Sequence, residues 1–320
     1  MSNLETDPRE SACGGLADVS AKPVNELLTG RDVVLGGPRA MKVTRTLPNR
    51  DVRMVGAWCF VDHYGPERAT MHVPPHPHTG LQTVSWLVEG EVLHRDSLGS
   101  EQLIRPGQLN LMTAGRAISH AEESPAEAVL HGVQLWVALP AAARETAPAF
   151  EHHPALPTLT AASSPGVTVT VVMGELGGVT SPATVHTPLV GAEMTLEAGA
   201  GTSVPLRPGF EYAALALSGT VRVGETDLAP GPLLYLGSGR SELAVSAEVP
   251  GRLLLLGGEP FEERIVMWWN FVGRSHEEIA GFRREWMEGE GFGTVPGTGA
   301  APLPAPELPL TPLKARGRRR

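Results

Sequence analysis

Two stretches of the chain, LIRPGQLNLMTAGR from residue 103 and LAPGPLLYLGSGR from residue 228, carry the same punctuation. Pro106-Gly107 in the first matches Pro230-Gly231 in the second, and Gly115-Arg116 matches Gly239-Arg240, with nine residues from proline to later glycine in both. Upstream, LVEGEV beside LSGTV sets Gly90 against Gly219. Turn residues at fixed intervals between apolar runs dictate short strands joined by tight turns. The runs themselves agree: TVSWLV, EVLHRD, QLNLM, AISHAE and LHGVQLWVAL in one half, VTVTVVM, EYAALAL, PLLYLG, ELAVS and RLLLLGG in the other. A pattern that occurs twice in this way reads as a duplicated, all-β domain.

The expected organisation follows. Residues 1–30 are polar, lack periodicity and read as a flexible arm. Residues 31–145 form the first barrel, 146–160 a linker and 161–292 the second barrel. A helix is expected at 275–288, because Ser275 and Glu278 form a capping box and Ile279, Phe282, Trp286 and Met287 recur on one face. Residues 293–320, rich in Pro, Gly and Ala with a basic end, read as a disordered tail.

The first half holds two histidine motifs that the second lacks. HPHTGLQTVSWLVEGE places His76 and His78 two apart, and TAGRAISHAEES places His120 and Glu122 two apart. On a strand, residues i and i+2 share a face, so each pair aims both side chains at one point. Counting from the matched glycines, the four positions fall opposite Pro205, Arg207, Ala244 and Ser246. Folding alone therefore does not require them. Three imidazoles and a carboxylate suit one divalent ion among Fe(II), Cu(II), Ni(II), Mn(II) and Zn(II), and ligands on separate strands leave coordination positions open.

Charge and cysteine content narrow the class. The formal charge is −9 and the last ten residues, TPLKARGRRR, hold five positive charges, so the rest of the chain stands near −14 (−9 minus 5). A nucleic-acid-binding body is not expected from that balance. Cys13 and Cys59 are the only cysteines, which excludes a disulfide framework and suits a reducing compartment. No signal peptide and no run of eighteen apolar residues is visible, so a cytoplasmic location without membrane insertion is expected.

HPHTGLQTVSWLVEGE, RPGQLNLMTAGRAISHAE and the upstream MVGAWCFVDHYGP closely resemble the pirin family of the cupin superfamily, over about residues 35–290. The resemblance implies a bicupin: two tandem cupin β-barrels, with one metal, usually Fe2+, in the N-terminal one. It implies His76, His78, His120 and Glu122 as the ligands, the same four that the spacing selects. It also implies either a quercetin 2,3-dioxygenase, acting on a flavonol-like aromatic with O2, or a redox-dependent regulator that binds a partner enzyme or transcription factor. In the enzyme reading Glu122 is also the general base that takes the substrate's hydroxyl proton. Gln82 stands where many relatives have a glutamate after the HxH pair, and is not expected to be a ligand.

Other polar residues of the first half carry plainer expectations. His94 in VLHRD is i,i+2 with Asp96 but lacks a partner pair, and reads as a solvent-facing strand residue. Asp62 and His63 either line the mouth of the site or anchor a loop. Arg116 either orients an anionic substrate or, given its counterpart Arg240, serves structure. His152-His153 reads as exposed linker, and Cys59 as a buried small apolar group.

Overall fold

The computed structural model of the chain describes residues 11–13, 22–35, 41–159, 164–315 and 318. Expectations for residues 1–10, 14–21, 36–40, 160–163, 316, 317, 319 and 320 lie outside the described residues.

Strand follows strand through two barrels, each a seven-stranded path facing a four-stranded sheet. In the first barrel the large sheet runs Ala149–His153, Leu109–Thr113, Leu81–Glu89, Ala128–Ala138, Trp58–Ala69, Met41–Leu47, Arg31–Leu35. Its partner runs His72–His78, Ile118–Glu123, Val92–Asp96, Glu101–Ile104. In the second barrel the large sheet runs Pro23–Leu28, Leu233–Gly237, Glu211–Ser218, Gly251–Gly258, Leu189–Leu196, Val167–Leu176, Thr158–Leu159. Its partner runs Gly201–Pro205, Glu242–Ser246, Val221–Val223, Thr226–Leu228. The two orders correspond strand for strand, as the paired turn glycines require.

Two segments expected to be loose are strands. Pro23–Leu28, placed by composition in the flexible arm, pairs with Leu233–Gly237 and completes the second barrel's sheet. Ala149–His153, placed in the linker, pairs with Leu109–Thr113 and completes the first. In both cases a short, half-polar segment covers an edge that would otherwise leave backbone N–H and C=O groups unpaired. Hence the strand Pro23–Leu28 precedes the first barrel in the chain but belongs to the second.

Alternation on the large sheets divides the core. Inward residues of the second barrel, among them Val169, Val171, Ala192, Met194, Ala214, Leu234 and Leu255, form one apolar cluster. Outward residues of both large sheets, Val84, Trp86, Leu111 and Leu135 from one and Leu215, Leu233, Leu254 and Leu256 from the other, pack together as a shared core. Trp58 fastens this joint, its Nε1 lying 3.1 Å from both the Val190 and Gly257 carbonyls. Glycine makes room beneath it, since a Cβ on Gly191 would press on the Trp58 ring at 3.0 Å.

The helix spans His276–Glu288, and the Ser275 side chain accepts the Glu278 N–H, as the capping box predicts. It packs on Trp268, Trp269, Phe271 and Phe292. The Pro-rich stretch beyond residue 293 departs from its expected disorder. Ala305 and Leu313 are buried with the helix, Trp286 Nε1 donates to the Leu303 carbonyl at 2.8 Å, and the Leu303 N–H donates to the Pro75 carbonyl at 2.8 Å. Leucines set between prolines make an extended apolar strip with few N–H groups to satisfy, which a composition reading takes for disorder.

The positions of the second barrel equivalent to the four candidate ligands are not those that the matched glycines predict. In the first barrel His120 lies opposite His76, whereas in the second Ala244 lies opposite Ser203, not Pro205. The connection before the next strand is two residues in one copy and five in the other, so counting across it slips. Pro205, Arg207 and Ala244 are exposed and Ser246 is half-buried, while Val204, Leu243 and Val245 join the interior. A one-residue difference in register exchanges the faces of a strand. The second barrel is thus more apolar inside than the counting suggests.

Candidate metal centre

The strand HVPPHPH carries prolines at 74, 75 and 77, which cannot donate to a ladder and restrict it to a sheet edge. It pairs on one side with Ile118–Glu123, and this register sets His76 across from His120. Gly80 then turns the chain at φ +67°, so close to Val272 that a Cβ would lie 2.4 Å from its carbonyl oxygen. His76, His78, His120 and Glu122 are all buried, none more than 2% exposed.

The three imidazoles converge. Their ligand atoms lie within 4.8 Å of one another, and His78 Nε2 stands 3.1 Å from His120 Nε2. The tautomers follow from their other partners. His76 Nδ1 lies 2.8 Å from the Pro74 carbonyl and His78 Nδ1 3.2 Å from the Asn270 carbonyl. A carbonyl only accepts, so each Nδ1 carries the proton and each Nε2 presents a lone pair. His120 Nδ1 lies 3.3 Å from His94 Nδ1, and His94 Nε2 lies 3.1 Å from Asp96 Oδ2. The carboxylate accepts from His94 Nε2, His94 Nδ1 accepts from His120 Nδ1, and His120 Nε2 becomes the third lone pair.

Lone pairs facing each other across 3.1 Å repel unless a proton or a cation joins them. Burial argues against the proton: it pushes His76 down to about 4, and with the neighbouring imidazoles it holds His78 and His120 well below the ordinary range. His76 Nε2 is buried with no hydrogen-bond partner among the described residues. Neutral imidazoles with converging Nε2 atoms fit a borderline divalent ion.

Glu122 lies on the other side of His120. Its carboxylate groups with His94 and His120 within 4.8 Å, not with His76 and His78. Ser85 Oγ lies 3.2 Å from Glu122 Oε1 and 2.9 Å from Gln134 Oε1. One hydroxyl has one proton, and Glu122 takes it if the Gln134 amide is turned to donate its own N–H to Ser85 Oγ. Burial raises the Tyr64 phenol strongly, and the Glu122 charge adds to that rise.

His94 is not solvent-facing as its sequence context implied. It is 3% exposed, lies between His120 and Asp96, and is stacked by Phe150 at 4.4 Å and 14°. The i,i+2 rule that selects the ligands also selects His94 and Asp96, and the missing second pair concealed them. Asp62 is fully buried in a bidentate pair with Arg45, at 2.7 and 2.8 Å, and His63 Nε2 meets His131 Nε2 at 2.9 Å. Gln82 turns away toward Thr113 Oγ1 and the Thr184 carbonyl. Arg116 is exposed, Cys59 is buried, and His152, expected to be exposed, is half-buried with Nδ1 2.8 Å from Asn110 Oδ1.

These polar groups form a row. Across the large sheet Asn110 pairs with Ser85, Ser85 with Gln134, Gln134 with Asp62, and Asp62 with Arg45. All five face the interior opposite Glu122 and are buried. The corresponding row of the second barrel runs Leu234, Ala214, Leu255, Ala192, Val171. Flanking the polar row, Phe60 and Trp136 stack at 4.0 Å, and Trp136 meets His78 edge-on at 5.2 Å.

Comparison with known proteins adds the relatives. Residues 40–137 match the family model described as Pirin, and residues 191–293 match that of the Pirin C-terminal cupin domain. A Pseudomonas aeruginosa protein, provisionally named a quercetin 2,3-dioxygenase, is 46% identical over 88% of this chain and 90% of its own length. A pirin-like protein of Caulobacter vibrioides is 36% identical over 78% of this chain and 88% of its own. The crystal structure of a quercetin 2,3-dioxygenase from Acinetobacter baumannii superposes with a TM-score of 0.84 at 42% identity, covering 90% of this chain and 96% of that one. No helix among the described residues is long and apolar enough to cross a membrane.

Proposed function

The chain belongs to the pirin family of bicupins, and from that premise we propose that it is a metal-dependent dioxygenase acting on a planar, flavonol-like aromatic with O2. His76, His78 and His120 hold one divalent ion, iron(II) in this reading, and Glu122, which stands on the other side of His120 in this structure, becomes its fourth ligand by turning its carboxylate toward them. The observation that carries it is the convergence of three buried, neutral imidazoles on a point where His76 Nε2 lacks a hydrogen-bond partner. The relatives named as quercetin 2,3-dioxygenases support the substrate class.

When bound, the ion lowers the pKa of an organic hydroxyl and offers open positions for substrate and O2. The remaining work falls to the chain. Glu122, steadied through Oε1 by Ser85, accepts the hydroxyl proton. The buried surroundings exclude water, which strengthens each charge interaction.

A second reading, a metal-dependent regulator that binds a protein partner, draws on the closure of the site, whose four residues are at most 2% exposed. One experiment separates the two. Protein purified without added metal is assayed for metal content, reloaded anaerobically with iron(II), and mixed with quercetin under O2. Stoichiometric metal with O2 uptake and loss of flavonol absorbance supports the enzyme. Stoichiometric metal with no O2 uptake assigns the site to the regulator, and no metal uptake removes both readings.

A further inference from the structure

We infer that His94 and Asp96 are positioning residues that set the tautomer of His120, and that the site's affinity for metal depends on which oxygen or nitrogen stands at the end of Asp96. The inference rests on the proposed ligand set, but its central measurement needs no metal.

The geometry leaves little freedom. Asp96 is fully buried, and its two oxygens have separate tasks. Oδ1 accepts the backbone N–H groups of Leu98, at 2.9 Å, and Ser100, at 3.0 Å. Oδ2 faces His94 Nε2 at 3.1 Å. His94 Nδ1 then faces His120 Nδ1 at 3.3 Å, and the ring is held in plane by Phe150 from the strand Ala149–His153. The register fixes the same row, with His120 opposite Asp96 and Glu122 opposite His94. Proton positions are therefore relayed from a hairpin turn, through the His94 ring, to the atom of His120 that faces His76 and His78.

Asp96→Asn inverts the relay without changing its shape. The Leu98 and Ser100 N–H groups both need an acceptor, so they keep the Asn oxygen, and the new NH2 points at His94 Nε2. His94 Nε2 must then accept, its proton moves to Nδ1, and His120 Nδ1 becomes the acceptor. The His120 proton is left on Nε2, the atom that would otherwise bind metal. The substitution itself changes the charge of residue 96 alone.

The test uses the full-length protein with 15N-labelled histidine, metal-free, and long-range 1H–15N spectra that distinguish protonated from lone-pair ring nitrogens. Wild type should show His120 with a proton on Nδ1 and a lone pair on Nε2, and Asp96→Asn should show the reverse. Competition with a chelator should then give a 10- to 100-fold lower iron(II) or nickel(II) affinity for Asp96→Asn. A merely structural Asp96 predicts a lower melting temperature of the metal-free variant, whereas positioning predicts an unchanged metal-free melting temperature and a smaller rise on adding metal. Wild type with the His120 proton on Nε2, or Asp96→Asn with unchanged tautomer or unchanged affinity, overturns the inference. If the wild type binds no metal the proposed function falls, and the spectra alone decide the relay.

Discussion

The two barrels share a strand order and differ in what fills them. At mid-height the first carries Arg45, Asp62, Gln134, Ser85 and Asn110 where the second carries Val171, Ala192, Leu255, Ala214 and Leu234. The second shows what the scaffold needs, an unbroken apolar interior. The first gives up that interior, and each buried polar group there is tolerable only while its partners are in place. All six buried histidines among the described residues, His63, His76, His78, His94, His120 and His131, also belong to the first barrel. Duplication left one copy to serve folding and the other to carry polar chemistry at some cost in stability.

The comparison can be broken first at the ligands. His76→Ala and His120→Ala should each lower metal retention by about 100-fold or more while the metal-free protein stays folded, as read by elemental analysis and circular dichroism. Retention of stoichiometric metal by His120→Ala would defeat the assignment. Glu122→Gln, by contrast, should keep part of the metal while turnover falls by about 100-fold.

Acid should separate the barrels next. Burial, with the His131 charge adding to it, pushes His63 down to about 4, and burial pushes His76 to about 4. Unfolded imidazoles titrate near 6.5, so between those values the unfolded chain binds more protons and stability falls as pH falls. The loss approaches on the order of 3 kcal/mol per histidine at the acid end. Hydrogen exchange of metal-free protein at pH 7 and pH 4.5 should show first-barrel strands losing protection while second-barrel strands keep theirs; uniform loss would contradict this.

Making the first barrel resemble the second sharpens the contrast. Arg45→Val alone leaves Asp62 buried without its bidentate partner and should cost about 3–5 kcal/mol in urea unfolding. Arg45→Val with Asp62→Ala, copying Val171 and Ala192, should recover much of that loss. Ser85→Ala, copying Ala214, removes the hydroxyl beside Glu122 and should cost about 1.5–3 kcal/mol. Ala244→Ser, on the outside of the second barrel, should stay within about 0.5 kcal/mol.

Much of this was legible beforehand, and the failures have physical causes. Turn glycines and strand alternation revealed the duplication because backbone conformation constrains residue type locally. The HxH and HxE pairs were visible because two-residue periodicity is a property of any strand. The burial of His94 is not legible in the sequence because it depends on what covers the strand, here Phe150, which arrives from a distant segment. The opposite positions in the second barrel do not follow from glycine spacing because connection length is free to vary between copies. Pro23–Leu28 and the stretch around Leu303 escaped notice because their order comes from docking onto distant partners, which composition does not record.

Pro23–Leu28 has a consequence for the order of synthesis. It is made before any strand of the first barrel, yet its partner Leu233–Gly237 emerges only after the whole first barrel has passed. At ~5–20 residues per second, the ribosome takes ~10–40 s to travel from residue 28 to residue 233. The first barrel can close in that interval, with its own edge strand Ala149–His153 following directly behind it. Pro23–Leu28 stays unpaired throughout, tethered beside a finished neighbour. The second barrel's large sheet is thus completed by a segment made before the first barrel, once residues 233–237 have emerged.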